Sequence, residues 1–415
     1  MSADTHHGEF VQAQLGERAV SLEPGLDEKE MVLNFGPQHP ACHGTLRMVM
    51  RLDGEKVRDL QPDIGFLHTG FEKLGESRTW NQFIVVTDRM NYLSAMSNNV
   101  GFACAVEELL GIEVPPRAQA IRVLMAEMSR ISDHILGIGL QGMDLGAFTA
   151  MLWAFIEREK AYDVFELTSG GRLTTSYTRV GGLAFDLPEE VPHRCRRFLE
   201  RLDEVLVQIE GMLSHNRIFI DRTVGVGAFT KEQALQYSWT GPVARASGVD
   251  RDVRRDRPYL GYETYDFDIP TQTAGDVYSR YLQRLAEVRE SQKIVRQVLD
   301  RMPQGPINAL GKVTLPDRDA VYTQMESLIH HFMLEMPGHG LQIPRGESYH
   351  ATESPNGELG WYLISDGTAV PYKVRCRPPS LYQFTAMNEL CDGHLIGDVV
   401  ANMSSLNVIA GELDR

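Results

Sequence analysis

Two histidines, a tyrosine and an aspartate are the residues whose types and settings invite chemistry. His39 and His43 lie in Gly36-Pro37-Gln38-His39-Pro40-Ala41-Cys42-His43-Gly44. A spacing of four aligns two imidazoles on a metal only along a helix, and the prolines and glycines enforce a loop instead. Such a loop, carrying imidazoles between two strands, suits a polar ligand; a turn with locally satisfied histidines is the ordinary alternative. Tyr92 sits in Asp88-Arg89-Met90-Asn91-Tyr92-Leu93-Ser94, where its apolar neighbours suggest a core tyrosine with its hydroxyl tied to backbone. Asp144, in Gly142-Met143-Asp144-Leu145-Gly146, interrupts an apolar tract. An unpaired buried carboxylate is costly, so it must find a partner or take up a proton; on physical grounds it is the most suggestive single residue. Segment 63–73, with His68, reads as a connector. Gly137-Ile138-Gly139-Leu140-Gln141-Gly142 matches the dinucleotide fingerprint GxGxxG, but it closes a helix instead of following a strand, so the required βαβ setting is missing.

Periodicity supplies the elements that must position these residues. Residues 31–35 read as a strand, and 45–52 as a second, with Leu46, Met48, Met50 and Leu52 alternating against Arg47 and Arg51. Asp53-Gly54 is a hairpin turn, returning the chain antiparallel over 57–64. Pro115-Pro116 opens a helix through Arg122, Met125, Met128, Ile131 and Ile135. The stretch beyond it, to Trp153 and Ile156, is apolar on nearly every face and predicts the centre of a bundle. Phe198, Leu202, Val205, Ile209 and Met212 mark an amphipathic helix, and Thr273 and Asp276 suit the start of another, through Leu299. Beyond residue 301, glycine, proline and strand-like runs at 361–365 and 370–374 become common. The expected fold class is α+β: a polar extension over 1–29, a small antiparallel β element with the histidine loop over 30–70, a helical core over 71–300 and a mixed part over 301–415. No internal repeat is visible.

Composition narrows the function. The 415 residues include 56 acidic and 41 basic side chains, a net charge of -15, which runs against nucleic-acid binding. Basic clusters at 194–197 and 251–257 oppose that balance; the second alternates with aspartate and reads as a solvated or partner-facing salt-bridge surface. Cys42, Cys104, Cys195, Cys376 and Cys391 are dispersed, with no CxxC pair. That predicts reduced thiols in a cytosolic setting and no iron–sulfur cluster held by this chain alone. No signal segment and no apolar run of spanning length is seen, so membrane association is expected to be peripheral.

The loop at 36–44, the connector at 63–73, the tyrosine segment and the Asp144 segment, in this order, resemble the quinone-site subunit of complex I, the respiratory NADH:quinone oxidoreductase. Further similar stretches are Arg245-Ala246-Ser247-Gly248, Gly261-Tyr262-Glu263-Thr264-Tyr265, Gly357-Glu358-Leu359-Gly360 through Ser365-Asp366-Gly367, and Gly411-Glu412-Leu413-Asp414-Arg415. Only 1–29 lies outside the resemblance. That family shares its fold with the large subunit of nickel–iron hydrogenases, implying a hydrogenase-large-subunit-like architecture. Asn91 and Ser94 stand where a hydrogenase has its first cysteine pair, and no cysteine follows Cys391, so a soft-metal site is implausible. The resemblance implies instead a quinone headgroup. It maps a hydrogen-bond and proton donor onto Tyr92, a second donor onto His43, the acid coupled to that histidine onto Asp144, and lining positions onto His39, Gly44 and Arg89.

Physical chemistry suits those implied roles. Quinone reduction takes two electrons and two protons, so donors must already face the developing oxyanions. A phenol titrating near ~10 holds its proton until it is needed, and an imidazole near ~6.5 can relay one around neutrality. The resemblance also implies that electrons arrive from an iron–sulfur cluster on an adjacent subunit, that NADH is oxidised elsewhere, and that other complex I subunits and quinone are the partners. It places the chain on the cytoplasmic side of the bacterial inner membrane. The family pattern has Ser-Thr in place of Ala41-Cys42, Asp in place of Asn91 and Arg in place of Asn356; these departures bear on headgroup type and tuning. The same subunit in a ferredoxin-fed complex, and a non-catalytic bridging subunit, are the alternatives.

Overall fold

The computed structural model describes residues 30–42 and 44–415. The extension at 1–29 and His43 lie outside the described residues. The described residues open with an antiparallel sheet of β1 (Glu30–Phe35), β2 (Arg47–Asp53) and β3 (Lys56–Asp63) in that order. Met48, Met50 and Leu52 point into one core while Arg47 and Arg51 face outward, as strand alternation requires. Gly54 takes the left-handed conformation of the hairpin turn, with φ +63°.

The helical body follows: α1 (Trp80–Thr87), α2 (Ala95–Leu110), α3 (Pro116–Asp144), α4 (Phe148–Ser169), α5 (Val191–Leu213) and α6 (Val277–Asp300). Thr79 caps α1 through a reciprocal capping box with Gln82, Pro116 occupies the first turn of α3, and the Asp276 carboxylate accepts from the Ser279 N–H to start α6. The 29-residue α3 is the central strut, buried nearly all round and packed against α2, α4 and α6. Gly137, Gly139 and Gly142 of the fingerprint-like segment lie within it. A Cβ on Gly139 would approach the Ala154 Cβ to 2.9 Å, so these glycines serve close helix packing.

The expected bundle centre needs correcting. The first half of α4 does not lie inside: Phe148, Leu152 and Ile156 are 55%, 47% and 57% exposed and form one stripe at four-residue spacing. An apolar run reports a need for burial, and a partner's surface can meet that need as well as the chain's own core. The reading of 251–257 as a solvated surface is also corrected in part. Asp252 and Arg254 are buried, with Arg254 donating to Asp252 and Glu127, while Arg251 and Arg255 remain outside.

A second antiparallel sheet, β4 (Gly346–Ser354), β5 (Gly357–Ser365) and β6 (Lys373–Arg377), covers α2. The third strand begins later than the expected 370. Thr368 Oγ1 accepts from the Val370 N–H in a turn, and Pro371 has no N–H for the ladder. The closing helices α7 (Ile396–Leu406) and α8 (Ala410–Asp414) return to the first sheet and to the 88–94 turn. Among the described residues no helix is long and apolar enough to cross a membrane.

Candidate functional site

The histidine loop is built around glycines that nothing else can replace. Gly36 has φ +85°, and a Cβ there would fall 1.9 Å from the Leu46 carbonyl oxygen. A short 3-10 turn, Pro40–Cys42, follows, in which the Ala41 N–H donates to His39 Nδ1 at 3.2 Å. His39 packs against Phe35 with the rings tilted by 37° and their centroids 4.1 Å apart. One of its ring nitrogens is thus committed to the turn, and the ring itself is exposed. Gly44, also exposed, packs against Ala410; a Cβ there would come within 2.8 Å of the alanine's.

Four separate parts of the chain meet at a cavity of about 220 Å³ lined by Pro40, Tyr92, Leu93, Leu136, Leu140, Met143, Asn407 and Ile409. Pro40 brings the histidine loop to it, and Leu136, Leu140 and Met143 bring the last turns of α3, which ends on Asp144. A cavity of ~150 Å³ already accepts a benzene-sized ring, so this one has room for a single small aromatic headgroup. Its wall is mostly apolar, with the Tyr92 phenol and the Asn407 amide as polar points. Burial raises the proton affinity of Tyr92, and the Asp133 carboxylate adds to the effect. The phenol therefore stays protonated throughout the neutral range. Its hydroxyl is bonded to no backbone group among the described residues, unlike the ordinary core tyrosine.

Asp144 closes α3 half-buried, and the Ser404 hydroxyl donates to its carboxylate. Arg89 turns away from the cavity. It is exposed, and its guanidinium folds back to the Val85 carbonyl at 2.9 Å, outside the cavity lining. His39 and Gly44 also stand beside the lining positions, not among them.

The connector at 63–73 does more than connect. The Asp414 carboxylate accepts from the Gly65 and Leu67 N–H groups at 3.2 and 2.6 Å, and His68 Nδ1 lies 2.8 Å from the Asp414 carbonyl. A Cβ on Gly411 would meet the Arg89 and Met90 carbonyl oxygens at 2.7 and 2.8 Å. Residues 410–415 thus tie the histidine loop, the connector and the tyrosine turn into one unit.

Behind the cavity lies a buried polar layer that sequence reasoning missed. Asn407 donates to Asp133 Oδ1 at 2.7 Å and to Asn356 Oδ1 at 3.1 Å. Glu412 accepts from Asn91 at 3.5 Å and from Ser380 at 3.1 Å. Burial pushes the Glu412 carboxyl up to about 8 and raises Asp133 as well. Glu412 belongs to the terminal stretch that resembles the family, yet nothing local marks it as buried. Asp133 lies hidden inside a helical pattern.

Deeper still, Glu127 gathers Arg130, Arg254, the Tyr262 hydroxyl at 2.7 Å and the Ser291 hydroxyl at 2.6 Å. Arg245 joins Glu287, Glu353 and Asp252, and His134 reaches Glu287 at 3.1 Å. The stretches around Arg245 and Tyr262 are therefore parts of one internal ionic frame. The five thiols sit singly and buried, divided among three cores. Burial pushes Cys104, Cys195 and Cys391 up to about 12 and Cys42 to about 11. Such scattered, protonated thiols do not form a four-thiolate cradle. Among the described residues no group of three or more histidines, cysteines and acids is placed to hold a metal ion.

Comparison with known proteins agrees with this frame. Residues 144–415 match a family profile described as respiratory-chain NADH dehydrogenase, 49 Kd subunit. The chain is 48% identical over 395 residues to a D-type subunit of NADH-quinone oxidoreductase from Koribacter versatilis, covering 95% of this chain and 98% of that one. It is 47% identical over 386 residues to the corresponding protein of Geotalea uraniireducens, covering 93% and 98%. To that of Methylacidiphilum infernorum it is 45% identical over 408 residues, covering 97% and 96%. With more than half of the chain matched by the profile and nearly all of it by these relatives, the chain belongs to the family of the 49 kDa subunit of respiratory-chain NADH dehydrogenase.

Proposed function

We propose that this chain is the quinone-site subunit of a proton-pumping NADH:quinone oxidoreductase, acting only within the assembled complex. The observation that carries the site assignment is the cavity of about 220 Å³, where Tyr92, the histidine loop through Pro40, and the end of α3 beside Asp144 converge. In this reading Tyr92 and His43 serve the two carbonyl oxygens of a quinone headgroup. Tyr92 donates a hydrogen bond to one carbonyl oxygen, and its proton passes to that oxygen as negative charge develops there. His43 serves the second oxygen, and Asp144 stabilises the charged imidazole and responds when its proton leaves. His39, Gly44 and Arg89 border the entrance, holding the loop and the tyrosine turn. Leu136, Leu140 and Met143 exclude water around the ring.

Electrons come from an adjacent subunit carrying an iron–sulfur cluster, and NADH is oxidised further away. The exposed stripe Phe148, Leu152 and Ile156 leaves α4 beside the Asp144 end of α3 and suits a partner subunit. Attachment to the cytoplasmic side of a bacterial inner membrane runs through such partners. A photoreactive short-chain quinone, crosslinked in the intact complex and mapped by peptide mass, tests the assignment. Labelling of peptides containing residues 40, 92 or 136–143 is expected; labelling confined to other subunits contradicts it.

A further inference from the structure

Asp133 and Glu412 take no part in the reaction described so far, yet both lie directly behind the cavity wall. Asp133 is held at 2.7 Å by Asn407, a lining residue, and Glu412 is held by Asn91, the neighbour of Tyr92. Their outer oxygens, Asp133 Oδ2 and Glu412 Oε1, have no hydrogen-bond partner among the described residues, although both are fully buried. Ser94 Oγ in the same layer is equally unpartnered, while the Asn356 side chain faces Glu412. Unpaired buried carboxylates are expensive, whereas neutral acids tolerate such a setting. The Asp133 carboxylate adds to the burial that raises Glu412, so the two acids resist ionising together.

We propose that Asp133 and Glu412 are a buried acid pair that holds a proton in reserve behind Tyr92 and restores the phenol after it has protonated the quinone. This rests on the reading of Tyr92 as proton donor. Once Tyr92 has given its proton to the reduced quinone oxygen, a phenolate remains. One proton then leaves the pair for the phenolate oxygen, the pair becomes singly ionised, and solvent protons reload it; no electrons move in this step. The groups facing Asp133 are His134, Arg158, Arg284 and Tyr92, and those facing Glu412 are Asp133 and Cys376. Neither acid touches the substrate, so both are proton-supplying residues acting through Tyr92. Burial sets the Glu412 proton to leave at about pH 8, which fixes where the reserve empties.

The test is the pH profile of quinone reduction by the assembled complex, with NADH:ferricyanide activity monitoring assembly. Wild type is expected to lose kcat as pH rises through about 8. Glu412→Gln keeps an acceptor for Asn91 and Ser380 but cannot release a proton. It is expected to lower kcat on the order of 100-fold, the low end of what positioned proton transfer contributes, with KM unchanged and the alkaline limb gone. Asp133→Asn, which keeps its acceptor for Asn407, carries the same test should Glu412→Gln fail to assemble. Normal kcat with an unchanged alkaline limb in either assembled variant overturns the proposal, as does a wild-type profile that stays flat well beyond that point. If Tyr92→Phe reduces quinone normally, the reading of Tyr92 fails and this inference with it. If Tyr92→Phe is inactive but Glu412→Gln is normal, the inference alone fails.

Discussion

Asn407 places one side chain in two environments at once, lining the cavity with Tyr92 while its amide holds Asp133 at 2.7 Å. It also ends α7 in the left-handed conformation, with φ 55°, which asparagine tolerates better than most residues. Asn407→Ala therefore removes the bond to a buried carboxyl and adds backbone strain. We expect it to destabilise the chain by about 2–4 kcal/mol, read as a lowered Tm; an unchanged Tm would show that the amide contributes nothing there.

Glu127 governs the acid limit of stability. Burial alone would push its carboxyl up, but Arg130 and Arg254, with Ser291 and Tyr262, hold it down to about 2. A depressed acid stabilises the fold above its unfolded value and loses that contribution as pH falls through the folded one. Stability should accordingly fall between about pH 4.5 and 2. Glu127→Gln removes the carboxylate shared by two buried arginines, leaving Arg254 with Asp252 and Arg130 with the Glu353 and Ser354 carbonyls, so it should cost about 3–5 kcal/mol at neutral pH and flatten the acid slope in thermal melts taken across that range.

Gly139 tests whether the fingerprint-like glycines have any part in nucleotide binding. Gly139→Val pushes a branched side chain into Ala154 and Met151 of α4, at a cost of about 1–3 kcal/mol for overpacking and more where the helices cannot separate. NADH added to the purified chain should leave its Tm unchanged; a saturable rise would restore the dinucleotide reading.

The stripe on α4 predicts a partner surface. The triple change Phe148→Ser, Leu152→Ser, Ile156→Ser should improve solubility of the isolated chain and reduce its recovery in the assembled complex. Undiminished assembly would place the partner elsewhere.

Much of this was legible in the residues. Strand alternation marked β2, the Asp53-Gly54 turn marked its return as β3, Pro116 and Asp276 marked the starts of two long helices, and the spacing of 198–212 marked α5. The histidine loop stood out because glycine and proline isolate it, whereas Tyr92 read locally as a core tyrosine and was singled out only by the family resemblance. Asp133 and Glu412 did not, since burial of an acid depends on contacts between residues hundreds of positions apart, as between Asn91 and Glu412. The exposed face of α4 was not legible because apolar composition carries no record of which molecule buries it. The alternating cluster at 251–257 hid its buried half for a similar reason: Glu127, the partner of Arg254, lies on a different helix.

The most direct test of the central claim compares NADH:quinone with NADH:ferricyanide reductase activity in the assembled complex, wild type against Tyr92→Phe. Loss of quinone reduction by at least about 100-fold, with ferricyanide reduction retained, is the predicted result and places Tyr92 at the quinone end of the electron path. Quinone reduction at the wild-type rate would contradict the account.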